Sequence, residues 1–160
     1  VAVQIDGDGQ HDPRFVNDLL SRLESDPELN MVTGSRFLDR EGDGYRSSAA
    51  RRIGIRVFSS VVSRITGRRV TDPTSGFRMT DRRGIELFAR DYTHDYPEIE
   101  AILVMHAHRL NSCEIPVVMR PRTSGSSAIS SGQSIYYMVK ILLALFVDLF
   151  RRYVVPLEDT

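Results

Sequence analysis

The sequence predicts an α/β fold, a sandwich of helices around a mainly parallel sheet, and two observations indicate it. Short apolar, β-branched segments alternate along the chain with longer segments of helical periodicity, which is typical of parallel α/β sheets. The 160 residues comprise 41% apolar and 26% charged side chains, enough apolar material for one core and too much for a disordered chain. The single cysteine, Cys113, excludes an intramolecular disulfide and favours a cytosolic protein.

The first part of the chain contains a strand, a helix and a second strand. Val1–Ile5 is short, apolar and β-branched, which predicts a buried strand. Pro13–Glu24 has apolar residues at helical spacing, and Pro13 suits the first helical position with Asp12 as its cap. The run Asn30–Thr33 is short and apolar enough to predict the second strand.

The middle of the chain repeats this alternation. Ala49–Ile65 has apolar residues along one helical face, and Gly67 is expected to end that helix. A turn then leads into a short strand over Phe77–Thr80. Asp81 is suited to cap a helix that begins at the next residue and continues to about Ala89.

The last part contains a helix over Pro97–Ala107, a strand over Ser112–Met119 and a strongly apolar helix over Ile135–Tyr153. Lys140 and Asp148 interrupt the last helix, so it is not expected to span a membrane. It is expected either to pack on the domain or on a second copy, or to lie at a membrane surface. Residues 134–160 therefore form a separate amphipathic segment after a predicted domain of residues 1–133.

Charge is unevenly distributed, although the formal net charge is zero. Residues 1–35 contain two arginines against seven acidic residues, a net charge of −5. Residues 36–83 contain twelve arginines against five acidic residues, a net charge of +7. An arginine-rich middle suits phosphate, which the guanidinium binds through two parallel hydrogen bonds, although a biased genome composition would also enrich arginine.

Asp6-Gly7-Asp8-Gly9-Gln10 follows directly after the first strand. Two carboxylates in one turn can reach the same hard cation, and the carboxyl edge of an α/β sheet is where such folds bind ligands. A polar turn that caps a helix is the simpler alternative. A calcium EF-hand is excluded, because His11 and Asn17 occupy the positions that require glycine and glutamate.

Six segments, in order, resemble motifs of the family 2 glycosyltransferases of GT-A type, in the subgroup typified by dolichyl-phosphate mannose synthase. The segments are Gln4–Pro13 with its DxD, Gly34–Arg36 (GSR), Asp72–Arg78 (DxxSGFR), Tyr96–Glu100, Glu114–Val117 (EIPV) and the arginine and Gly-Ser pairs of Arg120–Ser127. The resemblance implies a GT-A-like α/β/α sandwich. The family's opening βαβ unit, which binds the nucleotide base, has no counterpart here, so the chain is expected to be N-terminally truncated.

The resemblance also implies an activity: transfer of a hexose of mannose or glucose type from a GDP- or UDP-sugar to a polyprenyl phosphate, with Mg²⁺ or Mn²⁺. The alternatives are a saccharide acceptor, or a truncated or degenerate domain that only binds. Inactivity of the fragment by itself is a further alternative. No nucleic acid partner is expected, and a homo-oligomer stays open. The expected location is the cytoplasm, with peripheral contact at the cytoplasmic face of the membrane as the further alternative.

Roles for individual residues follow from the same resemblance. The metal is assigned to Asp6, Asp8 and Gln10; catalysis to Asp8, Arg78 and Glu100; and the donor or phosphate to Asp6, Gln10, Arg36, Arg52, Ser75 and Gly76. Glu100 is either a general base or an acceptor for a sugar hydroxyl, since a phosphate acceptor needs no base. Two other side chains near these motifs are given structural roles, with a site role as the alternative for each: His11 is expected to face solvent, and Asp72 to be a turn or cap residue.

Overall fold

A computed structural model describes residues 1–38, 49–91 and 97–119, and for residues 49–52 the backbone alone. Contacts divide the chain between Gly125 and Ser126, and all described residues lie before that point. The predictions for Tyr96, for residues 120–133 and for the helical segment 134–160 fall outside the described residues. Within the described ranges, none of the helices combines the length and apolar character that crossing a bilayer requires.

The described residues form four strands and four helices, which confirms the α/β class. In chain order they are β1 (Ala2–Gln4), α1 (Phe15–Glu24), β2 (Leu29–Ser35), α2 (Ala49–Thr66), β3 (Arg78–Thr80), α3 (Arg82–Arg90), α4 (Pro97–Ala107) and β4 (Asn111–Pro116). The four helices predicted within the described residues all form. α1 begins two residues later than predicted, and the side chain of Asp12 accepts from the Arg14 amide at 3.1 Å without capping the helix.

The sheet is mixed, whereas a mainly parallel sheet was predicted. Its strand order is β1-β3-β2-β4. β2 pairs in parallel with β4, but β3 lies between β1 and β2 and is antiparallel to both. The reason lies in the register, because Arg78 at the start of β3 is opposite Gln4 at the end of β1 and Thr33 near the end of β2. The chain therefore enters β3 from the carboxyl edge of the other strands.

β1 is an exposed edge strand, and the prediction of a buried strand was wrong. Val1, Val3 and Ile5 are 71%, 42% and 41% exposed. Among the described residues β1 pairs with β3 alone, so it has one covered edge. Apolar β-branched composition indicates a strand, but the number of neighbours a strand acquires is set by distant parts of the chain.

The core lies on both faces of β2. On one face Leu19 and Leu23 of α1 pack with Val32 and Met79. Since side chains alternate along a strand, the fully buried Met31 faces the opposite side. α4 contacts β4 and α2, and its buried side chains are Ile99, Ala101, Ile102, Val104 and Met105. The two helical layers therefore hold the sheet from both sides and fix where its carboxyl edge lies.

Asn30 and Asp81 join three elements at the other edge. Asp81 caps α3 as predicted, because its carboxylate accepts from the Gly84 amide at 2.8 Å. The Asn30 side chain donates to Asp81 at 2.9 Å and accepts from the Asn111 amide at 3.0 Å. The starts of β4 and α3 are thereby both fixed to β2 through one buried amide.

Gly34 lies where the side chains of Val117 and Phe77 approach β2 closely. A Cβ at this position would lie 2.8 Å from Cγ1 of Val117 and 3.1 Å from Cδ1 of Phe77. The Gly34 amide also donates to the carbonyl of Phe77 at 2.8 Å. A larger residue would therefore push the segment before β3 away from the sheet.

We predict that Gly34→Ala destabilises the fold by about 1–3 kcal/mol, because the added methyl overpacks a rigid contact. The measurement is urea unfolding followed by circular dichroism. Gly7→Ala is the control, since a Cβ on Gly7 meets nothing within 4 Å. Equal stability of the two variants would contradict the close packing of β2 against Phe77 and Val117.

Candidate functional site

The loop after β1 and the turn before β3 meet at the carboxyl edge of the sheet. The antiparallel register pairs Gln4 with Arg78; continued by two residues in each direction, it brings Asp6 opposite Gly76. The contact is direct, because a Cβ on Gly76 would lie 2.6 Å from Oδ1 and 2.9 Å from Oδ2 of Asp6. Two predicted site segments that are distant in sequence are therefore adjacent in space.

Asp8 and Gln10 shape the rest of this loop. The Gln10 amide donates to Oδ1 of Asp8 at 3.0 Å, and Gly9 between them has φ of 73°, a left-handed conformation that favours glycine. Asp8 is partly buried and the side chain of Asp6 is 50% exposed. The turn thus presents carboxylates at the surface of the sheet edge, where a ligand can reach them.

His11 is buried, and the expectation that it faces solvent was wrong. Its ring is 6% exposed and stacks on Phe77 with centroids 5.0 Å apart. Nδ1 accepts a hydrogen bond from the Asp6 amide at 3.1 Å, and Nε2 lies 3.8 Å from Oδ2 of Asp6. The imidazole therefore holds Asp6 by its backbone amide and lies beside its carboxylate.

The protonation of His11 follows from these contacts. Burial lowers the pKa of His11 below 6.5, and the carboxylates of Asp6 and Asp8 act in the opposite direction. A neutral ring is needed for Nδ1 to accept from the Asp6 amide. The structure therefore favours the uncharged imidazole with its proton on Nε2, directed at Asp6.

Arg36 forms a buried ion pair with Asp72. Its Nε donates to Oδ2 of Asp72 at 2.6 Å and its Nη2 to Oδ1 at 2.7 Å, while the Arg36 amide donates to Oδ2 at 3.2 Å. Nη2 also donates to the Thr74 hydroxyl at 2.9 Å. Asp72 is fully buried. Both residues adjoin the site, because their charges act on the pKa of His11 in opposite directions.

Glu114 supports the same loop from the other side. Its two carboxylate oxygens accept from the amides of Thr71 and Asp72 at 2.8–3.0 Å and from the Thr71 hydroxyl at 2.6 Å. Burial raises the pKa of Glu114, and these hydrogen bonds oppose that rise. The Thr71 hydroxyl also lies 2.6 Å from that of Ser35. The segment before the turn is thereby fixed to both β2 and β4.

Ser75 and Arg78 are buried and serve the turn itself. The Ser75 hydroxyl donates to the carbonyl of Gly34 at 2.6 Å. Nη2 of Arg78 donates to the carbonyl of Ser75 at 2.7 Å and lies 3.4 Å from that of Glu98, while Nη1 lies 3.5 Å from that of Pro97. Arg78 thus joins the turn to the first turn of α4.

Two further predicted residues, Glu100 and Arg52, lie on helices. Glu100 is partly buried on the first turn of α4. Arg52 lies near the start of α2, where the backbone alone is described. Across residues 1–38, 49–91 and 97–119, no group of three His, Cys, Asp or Glu side chains is arranged to hold a metal ion.

A metal held by Asp6 and Asp8 would need further ligands as well. Asp6 and Asp8 supply carboxylate oxygens, which are the donors that Mg²⁺ and Mn²⁺ prefer, and Mg²⁺ usually completes its shell with water and substrate phosphates. The exposed carboxylate of Asp6 fits such a shared site. The residues present are consistent with a cation that binds together with a diphosphate.

Residue identity alone did not reveal how Arg36, Asp72 and Glu114 support this site. The buried pair of Arg36 with Asp72 joins residues far apart in sequence, which single-sequence reasoning cannot match. Glu114 carried a usable signal, because an acid within the apolar strand Ser112–Met119 must have buried partners.

No protein-family model and no curated protein matches the chain.

We predict that Glu114→Gln destabilises the fold by about 1–3 kcal/mol, since an amide nitrogen would face a backbone donor that loses its acceptor. The measurement is the free energy of unfolding in urea at pH 7. Glu86→Gln is the control, because Glu86 is exposed and pairs with Arg82 on α3; it should change stability by less than about 0.5 kcal/mol. A small effect of Glu114→Gln would contradict the anchoring role of Glu114.

Stability should fall as pH decreases below 6.5, because the pKa of His11 is lower in the folded chain than in the unfolded chain. The unfolded chain then binds the proton more readily, so this loss begins at the unfolded pKa and is complete below the folded one. Unfolding in a chelating buffer between pH 5 and 8, compared for the wild type and His11→Asn, measures it. An identical pH dependence in both proteins would contradict the burial of a neutral imidazole.

Proposed function

We propose that the chain carries the metal-, donor- and acceptor-facing part of a family 2 glycosyltransferase of GT-A type. The reaction moves a hexose of mannose or glucose type from a GDP- or UDP-sugar to a polyprenyl phosphate. The observation that carries this proposal is the contact between Asp6 and Gly76 at the carboxyl edge of the sheet. It brings together the two most specific motifs of the resemblance, the DxD loop and the SGFR turn.

The carboxylates are suited to the donor. Asp6 and Asp8 would hold Mg²⁺ or Mn²⁺, with Gln10 as a further ligand. When bound, the cation supplies positive charge that stabilises the departing nucleoside diphosphate. His11 keeps Asp6 in place through its backbone amide, and Gly76 leaves room for the Asp6 carboxylate. The chain's own contribution is thus a pre-formed pair of acidic ligands.

The transfer step requires little acid–base chemistry. An oxygen of the acceptor phosphate attacks C1 of the sugar, the bond from C1 to the diphosphate oxygen breaks, and the nucleoside diphosphate leaves with the electron pair. The acceptor oxygen is already ionised, so no base is needed. Glu100 would then accept from a sugar hydroxyl; with a saccharide acceptor it would take the proton of the attacking hydroxyl.

Arginines have different parts in this proposal. Arg78 joins the SGFR turn to the start of α4, so it would set the position of Glu100 relative to Asp6. Arg36 is paired with Asp72 and would support the turn, in addition to the phosphate role expected of it. A phosphate role for Arg52, and membrane contact through residues 134–160, extend the proposal beyond the described side chains.

We predict that Asp8→Asn lowers sugar transfer by about two orders of magnitude or more, since charge stabilisation by a metal contributes several kcal/mol to the transition state. The assay uses the longest natural chain that contains residues 1–160, labelled GDP- and UDP-hexoses, polyprenyl phosphate and Mg²⁺ or Mn²⁺. Asp18→Asn, an exposed carboxylate on α1, is the matched control and should retain activity.

The outcomes separate the alternatives. Transfer to a saccharide and not to polyprenyl phosphate would replace the acceptor, and transfer that survives Asp8→Asn would remove the metal assignment. Mn²⁺-induced broadening of the Asp6–Gln10 amide signals, measured on the 160-residue chain, tests the cation site without catalysis. Absence of both transfer and broadening would favour a non-catalytic domain.

A further inference from the structure

A pocket of about 270 Å³ extends along β4 from its first residue, Asn111, to Glu114. It is built from the end of α4, the first residues of β4 and the loop that follows α2. Its basic side chains are those of Arg68, Arg69, His106 and Arg109. The DxD loop follows the carboxyl end of β1, whereas this pocket opens beside Asn111, where β4 begins. Glu114, which fixes the loop before β3, also lines the pocket.

The charges of this pocket are not balanced within the described residues. No ion pair in residues 1–38, 49–91 and 97–119 joins Arg68, Arg69 or Arg109 to a carboxylate. Glu114 is the acidic residue of the described lining, and its oxygens accept from the amides of Thr71 and Asp72 and from the Thr71 hydroxyl. Three arginines therefore line this pocket against one carboxylate, whose donors are neutral, so the described lining has an excess of positive charge.

Arg68 is held in place at this pocket. Its Nη2 donates to Oδ1 of Asn111 at 2.6 Å, and the Asn111 side chain donates in turn to the carbonyl of Glu28 at 3.0 Å. The amide is a neutral partner, so it orients the guanidinium and leaves its positive charge uncompensated. An oriented fork is the arrangement that suits a tetrahedral oxyanion.

Arg109 occupies a backbone position that glycine normally takes. The Leu110 amide donates to the carbonyl of Met105 and the Arg109 amide to that of His106, the two hydrogen bonds of a Schellman helix end. Arg109 has φ of 57° there, whereas α2 ends in the same conformation with Gly67 at 66°. A left-handed backbone is strained for arginine, and Arg109 adopts it at a position that lines the pocket.

The dipole of α4 accounts for some of the basic residues that line this pocket, but not for all of them. Cations are favoured at the last turn of a helix, which accounts for His106 and Arg109 at the end of α4. Arg68 and Arg69 come from the loop after α2 and do not belong to that helix end. We propose that this pocket binds the phosphate group of a small phosphorylated molecule or of a lipid headgroup, at a second anion site independent of the transferase activity.

The test compares the wild-type 160-residue chain with Arg68→Gln, Arg109→Gly and, as a matched control, Arg82→Gln on the exposed face of α3. Inorganic phosphate and a hexose 1-phosphate are titrated at constant ionic strength. Binding is measured by calorimetry and by the thermal midpoint. The wild type and Arg82→Gln should bind, and Arg68→Gln and Arg109→Gly should bind about tenfold or more weakly, as expected for a lost charge-assisted hydrogen bond.

Arg109→Gly gives a signature that a purely structural arginine would not. Relief of the left-handed strain should raise the thermal midpoint without ligand, while phosphate affinity falls. Vesicles of phosphatidylcholine with or without phosphatidic acid identify the source: vesicle binding that depends on phosphatidic acid and is lost in both variants supports a lipid headgroup. Absence of phosphate and vesicle binding, or binding unchanged by Arg68→Gln and Arg109→Gly, overturns the proposal.

Discussion

The carboxyl edge of the sheet depends on charges that are buried together and must be satisfied together. Glu114 on β4 receives the amides of Thr71 and Asp72, and Asp72 in turn receives the guanidinium of Arg36 at the end of β2. An isolated buried charge costs several kcal/mol, and an ion pair offsets this only with good geometry and further hydrogen bonds. Here Glu114 binds the amide of Asp72, and Asp72 binds the guanidinium of Arg36. All three are therefore paired when the loop before β3 has this arrangement.

That arrangement decides where the chain enters β3, and the entry point decides what the site contains. The turn fixes Ser75 to β2 through the carbonyl of Gly34, and the antiparallel pairing with β1 then places Gly76 against Asp6. His11 closes the loop from behind by stacking on Phe77. Asp6 is therefore positioned by the edge of the sheet, whereas Asp8 is held within the loop by the Gln10 amide.

Local patterns predicted the helices well, because periodicity and capping act within a few residues. The cap of α3 at Asp81 and the end of α2 at Gly67 are examples. The strand order, the exposure of β1, the burial of His11 and the pair of Arg36 with Asp72 depend on contacts between distant segments, which one sequence does not encode locally. The candidate acids were found from sequence, whereas the side chains that hold them were found from structure.

Because Asp6 and Gly76 are in contact, the residue at one of these positions limits which residue fits at the other. A side chain at position 76 would occupy the space of the carboxylate and displace it. Homologous chains that hold Asp6 beside the turn in this way should therefore keep glycine at position 76. The pair can serve as a marker for which homologues retain the acidic loop in the same shape.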